Sequence, residues 1–285
     1  MAKLLWKAAQ VIDNLKQDLG LNPGDKFLAW LTDSLGAVGV RPTAALLRNL
    51  GSTRQGLRRR DGEPLTETQR CGRLAMIAAD VTTETKVEFP KMAKLYWPDP
   101  AATNPACFAR ASMSIPFFFK PFRVRDCPCS EACRPDWEKL AGYRGELPKS
   151  VYFVDGGIMS NFPINLFHQA HRVPSAPTFG AKIGIDRSKP MAITKPAQLI
   201  GCVFDAARHT LDYDFILQNP DYHHLVKMID THDHNWLNFS LSNEDKTDLF
   251  AIGAEAAAQF LDGFDWENYK NIRRALAEAV KQSFT

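Results

Sequence analysis

"SVYFVDGGIMSNFP", residues 150–163, sets one acidic residue, Asp155, between an apolar run and a pair of glycines. Val151, Tyr152, Phe153 and Val154 are β-branched or aromatic, which favours a strand. In open α/β sheets, functional groups collect where strands end and loops begin, and Asp155 stands at such an end. Gly156 and Gly157 permit a sharp turn and a close approach of backbone N–H groups. An Asp-Gly pair is also a common turn signal, its carboxylate serving local backbone donors. The rest of the chain must decide between these readings.

Working outward, "GRLAMIAADV" (72–81) is a continuous apolar run of the kind found in fully buried strands. "TKVEFP" (85–90) alternates like a second strand. "CFARASMSIPFFFKPF" (107–122) gives a short helix stopped by Pro116, then an aromatic run. Residues 122–149 form a long excursion with a short helix expected near Trp137 to Leu140. "FPINLFHQAHR" (162–172) is expected to open a helix, "TFGAKIGID" (178–186) a strand, and "KPAQLIGCVFDAARHTLDYDFI" (195–216) a helix. "HNWLNFSL" (234–241) reads as a strand and "KTDLFAIGAEAAAQFL" (246–261) as an amphipathic helix. Nearer the N-terminus, helical spacing fills 1–19 and 25–38, and "RPTAALLRNL" (41–50) resembles a proline-started helix. Strands alternating with helices predict an α/β fold on a largely parallel sheet, as one domain without repeats or linkers.

The composition narrows the function. The 285 residues carry 45% hydrophobic and 24% charged side chains, which fits a globular chain with a sizeable core. A formal charge of +3 gives no electrostatic footprint for nucleic acid. No stretch approaches the roughly 18 uninterrupted apolar residues of a membrane-spanning helix. The first twenty residues read as an amphipathic helix with Leu4, Leu5, Ala8, Val11, Ile12 and Leu15 on one face, not as a signal peptide. The expectation is a cytoplasmic protein, with peripheral membrane attachment as an option.

Cys127, Cys129 and Cys133 cluster in "RDCPCSEACRPD", while Cys71, Cys107 and Cys202 are scattered. Three thiols without a nearby fourth ligand make a loop with free thiols the favoured reading over zinc. His232, Asp233 and His234 likewise read as a solvated loop, and Arg58, Arg59 and Arg60 as a solvated face. No metal and no cofactor are expected. Phe117, Phe118, Phe119 and Phe122, interleaved with Lys120, Arg123 and Arg125, suit either a core or a lipid-contacting rim.

A strand followed by "DGG" and "SNFP", with "RASMSIPFFFKPF" some forty residues earlier, resembles the patatin-like phospholipases. The similarity extends to "IAADVTTETKVEF" (77–89), to "GDKFLAWLTDSLGAVGVRPTAALLRNL" (24–50) and to "FSLSNEDKTDLFAIGAEAAAQFL" (239–261), in family order. The resemblance implies a three-layer α/β fold and a lipid acyl hydrolase working through a Ser–Asp dyad without metal. It makes Asp155 the catalytic base, in a DG(A/G) motif matched by Asp155, Gly156 and Gly157. Residues 1–168 would be the C-terminal portion of the patatin-like domain, and 169–285 the strands and helices completing it.

Two elements implied by the resemblance have no counterpart. No serine has glycine at both −2 and +2, and no G-x-G occurs. Ser34, in "TDSLG", has only the second glycine and follows a helical pattern, whereas a nucleophile elbow needs a strand before it. Ser112 and Ser114 lie in "ASMSIP", which resembles packing around the dyad. The missing parts would occupy roughly 30 or more residues ahead of those matched, so the chain is expected to lack the family's N-terminal strands. The expected partners are a lipid or membrane-surface substrate and a complementary N-terminal fragment. The competing expectations are an inactive remnant that binds lipid or protein, and a small zinc module.

Overall fold

The structure, a computed structural model, describes residues 19–52, 58, 61–66, 70, 72–160, 162–167, 172–183, 190, 192–195, 198–199, 201–203, 206, 215–232, 234 and 240–282. The chain divides into two compact units, Met1–Asn161 and Phe162–Thr285. Of the expected helix over 1–19 only Leu19 is described, and of the expected strand over 234–241 only His234, Ser240 and Leu241 are, none of them in a strand.

The first unit begins with a short strand, β1 (Gly20–Asn22), and two helices, α1 (Asp25–Ala37) and α2 (Thr43–Gly51). Strands β2 (Met76–Asp80) and β3 (Thr85–Phe89) follow, then helix α3 (Ala106–Ser112). The aromatic run splits into β4 (Phe117–Phe119) and β5 (Phe122–Arg125). Within the excursion lies α4 (Arg134–Ala141), which has a proline in its first turn and ends at Gly142 with φ 66°. That is the usual proline-in, glycine-out signature of a helix. Strand β6 (Ser150–Asp155) leads into a 3-10 turn, Gly156–Ile158.

Four of these strands form one sheet in the order β3-β2-β6-β5. β2, with β3 and β6 paired along its two edges, is buried from Ile77 to Asp80, as its unbroken apolar run predicts. β5 alternates, placing Val124 in the core and Arg123 and Arg125 outside.

The mixed α/β class holds, but the pairing corrects the expected largely parallel sheet. Every ladder of this four-stranded sheet is antiparallel, with Ala78 opposite both Val87 and Asp155. The cause is local: only Val81–Glu84 separate β2 from β3, too few residues for the crossover that a parallel pair requires. A buried apolar run reports that both faces are covered and says nothing of direction. Parallel pairing among the described strands is confined to β1 with β4 and, in the second unit, to β7 with β8.

The core of the first unit is aromatic. Phe89 stacks on Phe108 with centroids 4.8 Å apart, and Tyr96 meets Phe153 edge-on at 4.9 Å. Trp137 of α4 closes the cluster against Tyr96 at 5.4 Å. Such pairs add about 0.5–1.5 kcal/mol each beyond the area they bury. This cluster anchors β6 from one face, and so fixes the strand that ends at Asp155.

The second unit opens with a 3-10 segment, Pro163–Phe167, where the expected helix over 162–172 would start; residues 168–171 lie outside the described set. β7 (Gly180–Ile183) and β8 (Val226–Ile229) pair in parallel, followed by α5 (Asn243–Asp262) and α6 (Trp266–Gln282). α5 starts with a capping box in which Ser242 and Asp245 bond each other's backbone N–H. α6 is fastened to the turn at Pro220–His224 through buried Asp221, which accepts from Tyr269 at 3.1 Å and Arg273 at 3.3 Å. No helix among the described residues is long and apolar enough to cross a membrane.

Candidate functional site

Asp155 is the last residue of β6, and its backbone leaves the ladder there. Its N–H donates to the carbonyl of Ser114 at 2.9 Å, in the segment just after α3. Its carboxylate Oδ1 accepts the N–H of Gly157 at 2.6 Å, capping the turn Gly156–Ile158. The side chain is partly buried. The turn predicted from the sequence therefore exists, and the carboxylate is oriented by it.

Gly156 has a separate reason to be glycine. A Cβ at that position would lie 1.8 Å from the carbonyl oxygen of Ile77 in β2. Real Cβ atoms do not approach that closely, so the backbone passes β2 only because the side chain is absent. The DGG motif thus combines a carboxylate on a clasped turn with a chain wedged against the neighbouring strand.

The other sequence candidates are dispersed. Ser34 lies in the middle of α1, exposed, with its hydroxyl donated to the Trp30 carbonyl at 2.8 Å. It has the helical context that argued against an elbow. Ser112 ends α3, partly buried, and Ser114 is fully buried, donating to the Arg110 carbonyl at 2.7 Å. Neither presents a hydroxyl on a strand-to-helix turn.

Cys127 is buried, Cys129 exposed and Cys133 partly buried; Cys133 lies 3.4 Å from the Ser130 hydroxyl. Burial, then the nearby charges of Asp80 and Asp126, push the Cys127 thiol up to about 11. His234 meets Asp248 at 3.0 Å and His232 lies 3.6 Å from Asp230, while Asp233 falls outside the described residues. Among the described residues, no group of three or more His, Cys, Asp or Glu is placed to hold a metal ion. Arg58 donates to the Gly62 carbonyl at 3.0 Å, and Arg59 and Arg60 lie outside the described set. Of the aromatic run, Phe117 is exposed, whereas Phe119 and Phe122 flank the guanidinium of Arg110 at 5.8 and 5.7 Å.

Two buried charged residues near the site were not singled out from sequence. Asp80, at the end of β2, accepts the N–H groups of Thr82 at 2.8 Å and Thr83 at 3.3 Å, and the Thr83 hydroxyl at 2.6 Å. Burial raises its carboxyl above the ordinary value, although these hydrogen bonds oppose the shift. The buried Tyr96 hydroxyl lies beside Asp80, and burial followed by the charge of Asp80 raises its pKa. Arg110 is 2% exposed. Charged residues are almost never fully buried unless partnered, and no periodicity in sequence announces the exceptions.

Comparison with known proteins fits this picture. The family model described as patatin-like phospholipase matches residues 2–168, which include Asp155 and the whole four-stranded sheet. The chain is also 25% identical over 245 residues to the uncharacterized protein YqhO of Bacillus subtilis (strain 168), an alignment covering 85% of this chain and 68% of that one. No solved structure matches. With more than half of its length matched by the family model, the chain belongs to the patatin-like phospholipase family.

Proposed function

We propose that this chain supplies the base half of a Ser–Asp dyad that hydrolyses acyl esters of lipids, with Asp155 as the base. The observation that carries the reading is the placement of Asp155 at the end of β6, on a turn clasped by Gly157 and wedged by Gly156 against β2. The family acts on lipid substrates, which sets the substrate class.

In this reading Asp155 accepts the proton of a serine hydroxyl as that oxygen attacks the ester carbonyl. The tetrahedral oxyanion collapses, the proton passes to the departing alcohol, and an acyl-serine remains. Water then attacks the acyl-serine as Asp155 takes its proton; the second tetrahedral intermediate collapses, Asp155 returns that proton to the departing serine oxygen, and the free fatty acid leaves. No metal or organic cofactor is required for any of these transfers. A carboxylate is a weak base, so rigid placement within hydrogen-bond reach is what makes it effective.

This reading requires a serine on a G-x-S-x-G segment, which this sequence does not contain. Ser34 in mid-helix and Ser114 in the interior leave no suitable hydroxyl among the serines considered. That same observation favours a second reading, in which the chain binds lipid or a partner protein without catalysis.

The experiment compares ester hydrolysis by the 285-residue chain alone with hydrolysis by the chain joined to the in-frame sequence encoded upstream. The expectation is no turnover alone and turnover once a G-x-S-x-G segment is restored. Turnover by the chain alone that disappears in Ser34→Ala would overturn the assignment. Vesicle binding without hydrolysis in either form would establish the second reading.

A further inference from the structure

The guanidinium of Arg110 is buried and held by neutral oxygens. Nη1 donates to the Ser114 hydroxyl, and Nη2 donates to the carbonyls of Pro23 at 2.6 Å and Lys120 at 2.8 Å. Phe119 and Phe122 flank it. Among the described residues no carboxylate pairs with it within 4.0 Å, although Asp25 is near enough to favour its charge. Gly24, at φ 78°, leaves room for it: a Cβ there would lie 2.3 Å from Arg110 Nε.

Burying a cation without a directly paired anion is expensive, and Leu or Met would fill similar space at no such cost. What Arg offers in return is a planar fork that bonds several acceptors at once. The three acceptors belong to separate stretches of chain: Pro23 between β1 and α1, Lys120 between β4 and β5, and Ser114 after α3. Ser114 is bound twice, because its hydroxyl also donates back to the Arg110 carbonyl. It is also the residue whose carbonyl receives the Asp155 N–H.

We propose that Arg110 is the positioning residue of the Asp155 site, clamping Ser114 and through it the end of β6, so that the carboxylate keeps its bond to Gly157. This inference rests on the proposed role of Asp155 as base. Arg110 touches neither substrate nor reacting atoms; it acts through two hydrogen bonds, Arg110 to Ser114 and Asp155 to Ser114. Gly24, Phe119 and Phe122 are the parts that shape its socket.

The test reads position without relying on activity. Amide hydrogen exchange is followed by NMR in the wild type, Arg110→Lys and Ser114→Ala. Lysine keeps the charge and loses the fork; alanine keeps the Ser114 carbonyl and loses the hydroxyl relay. Losing hydrogen bonds to a charged group corresponds to roughly a tenfold or greater drop in protection, expected at Asp155 and Gly157. The amides of the β2–β3 hairpin should stay within about threefold of wild type, since they do not depend on the clamp. An equal loss throughout the first unit, or none at Asp155 in either variant, would overturn the proposal. If Arg110→Lys does not fold, Ser114→Ala alone carries the comparison, with the same two outcomes.

A second measurement separates this inference from the dyad itself. In the protein completed with its serine segment, Arg110→Lys should lower kcat with little change in KM. An unchanged kcat in Arg110→Lys, where Asp155→Asn abolishes turnover, would sink the positioning role and leave the dyad standing. Normal turnover in Asp155→Asn would instead remove the dyad, whatever the exchange data show.

Discussion

The carbonyl of Ser114 receives the N–H of Asp155 at 2.9 Å, so the end of β6 is fixed by the segment after α3 and not only by its sheet neighbours. A helix C-terminus and a strand end are thereby joined at the residue proposed as the base. Any change that disturbs this junction should be felt at the carboxylate before it is felt in the sheet.

Asp155→Asn keeps the side-chain shape and its oxygen acceptor for the Gly157 N–H while removing the base. In the protein completed with its serine segment, turnover should fall on the order of 10²-fold or more, the usual contribution of a positioned general base. The thermal midpoint should stay within a degree or two, because the capping bond survives. Steady-state kinetics with a lipid ester, alongside calorimetry, checks both halves. Near-normal turnover would leave Asp155 as a turn residue.

Gly156→Ala and Gly253→Ala should shift stability in opposite directions. At 156 the added methyl meets the Ile77 carbonyl at 1.8 Å, so strands must separate, at a cost of about 1–3 kcal/mol. At 253, within α5, a Cβ would meet nothing within 4 Å. Alanine there should stabilise by about 0.5–1 kcal/mol through helix propensity alone. Urea midpoints of the two variants measure the contrast, and equal shifts would contradict it.

Asp80 makes stability depend on pH with a definite sign. Burial raises its folded pKa above the ordinary 3.8, so the folded carboxyl holds its proton more tightly than the unfolded one. Its favourable contribution is complete below the unfolded value and is lost as pH rises through the raised folded value. Asp80→Asn should therefore gain on the wild type as pH rises from below the ordinary 3.8 through the raised folded value, then run parallel to it. Asp80→Ala should lose about 1–3 kcal/mol at low pH, because the Thr82 and Thr83 N–H groups lose their acceptor, and the loss should shrink as pH rises through the folded value. Thermal midpoints across that range test both; a constant offset for Asn would refute the linkage.

The three neighbouring cysteines should differ in reactivity. Cys127 is buried and titrates near 11, so at pH 8 it remains a thiol and resists alkylation. Cys129 is exposed and should react first with iodoacetamide. Mass spectrometry of a time course gives the order. Labelling of Cys127 in the folded protein ahead of Cys129 would refute this order.

Much of this architecture was legible in the residues themselves. The apolar run at 74–79, the alternation at 85–89 and the aromatic strand at 151–154 each mark a strand that forms. Proline and glycine frame α4, and Asp155 with its glycines marks a strand end. Strand direction was not legible, because burial of β2 is the same whichever way its neighbours run, and only the short Val81–Glu84 turn reveals it. Gly156 was legible as a turn glycine, yet its tightest constraint is the Ile77 carbonyl, a contact between distant residues. Arg110 carried no signal at all: a lone arginine in an alanine-rich helix looks solvated until its acceptors at Pro23, Ser114 and Lys120 are brought together.

The antiparallel hairpin β2–β3 also bears on the order of assembly. Its strands are joined by one short turn, so closing it loses little chain entropy. β6 must instead find β2 across a long intervening stretch: Tyr152 donates to the Thr82 hydroxyl 70 residues away. Loop closure at that distance is slow unless a template already exists. The hairpin is suited to be that template, with β6 and then β5 adding to it from the β2 side.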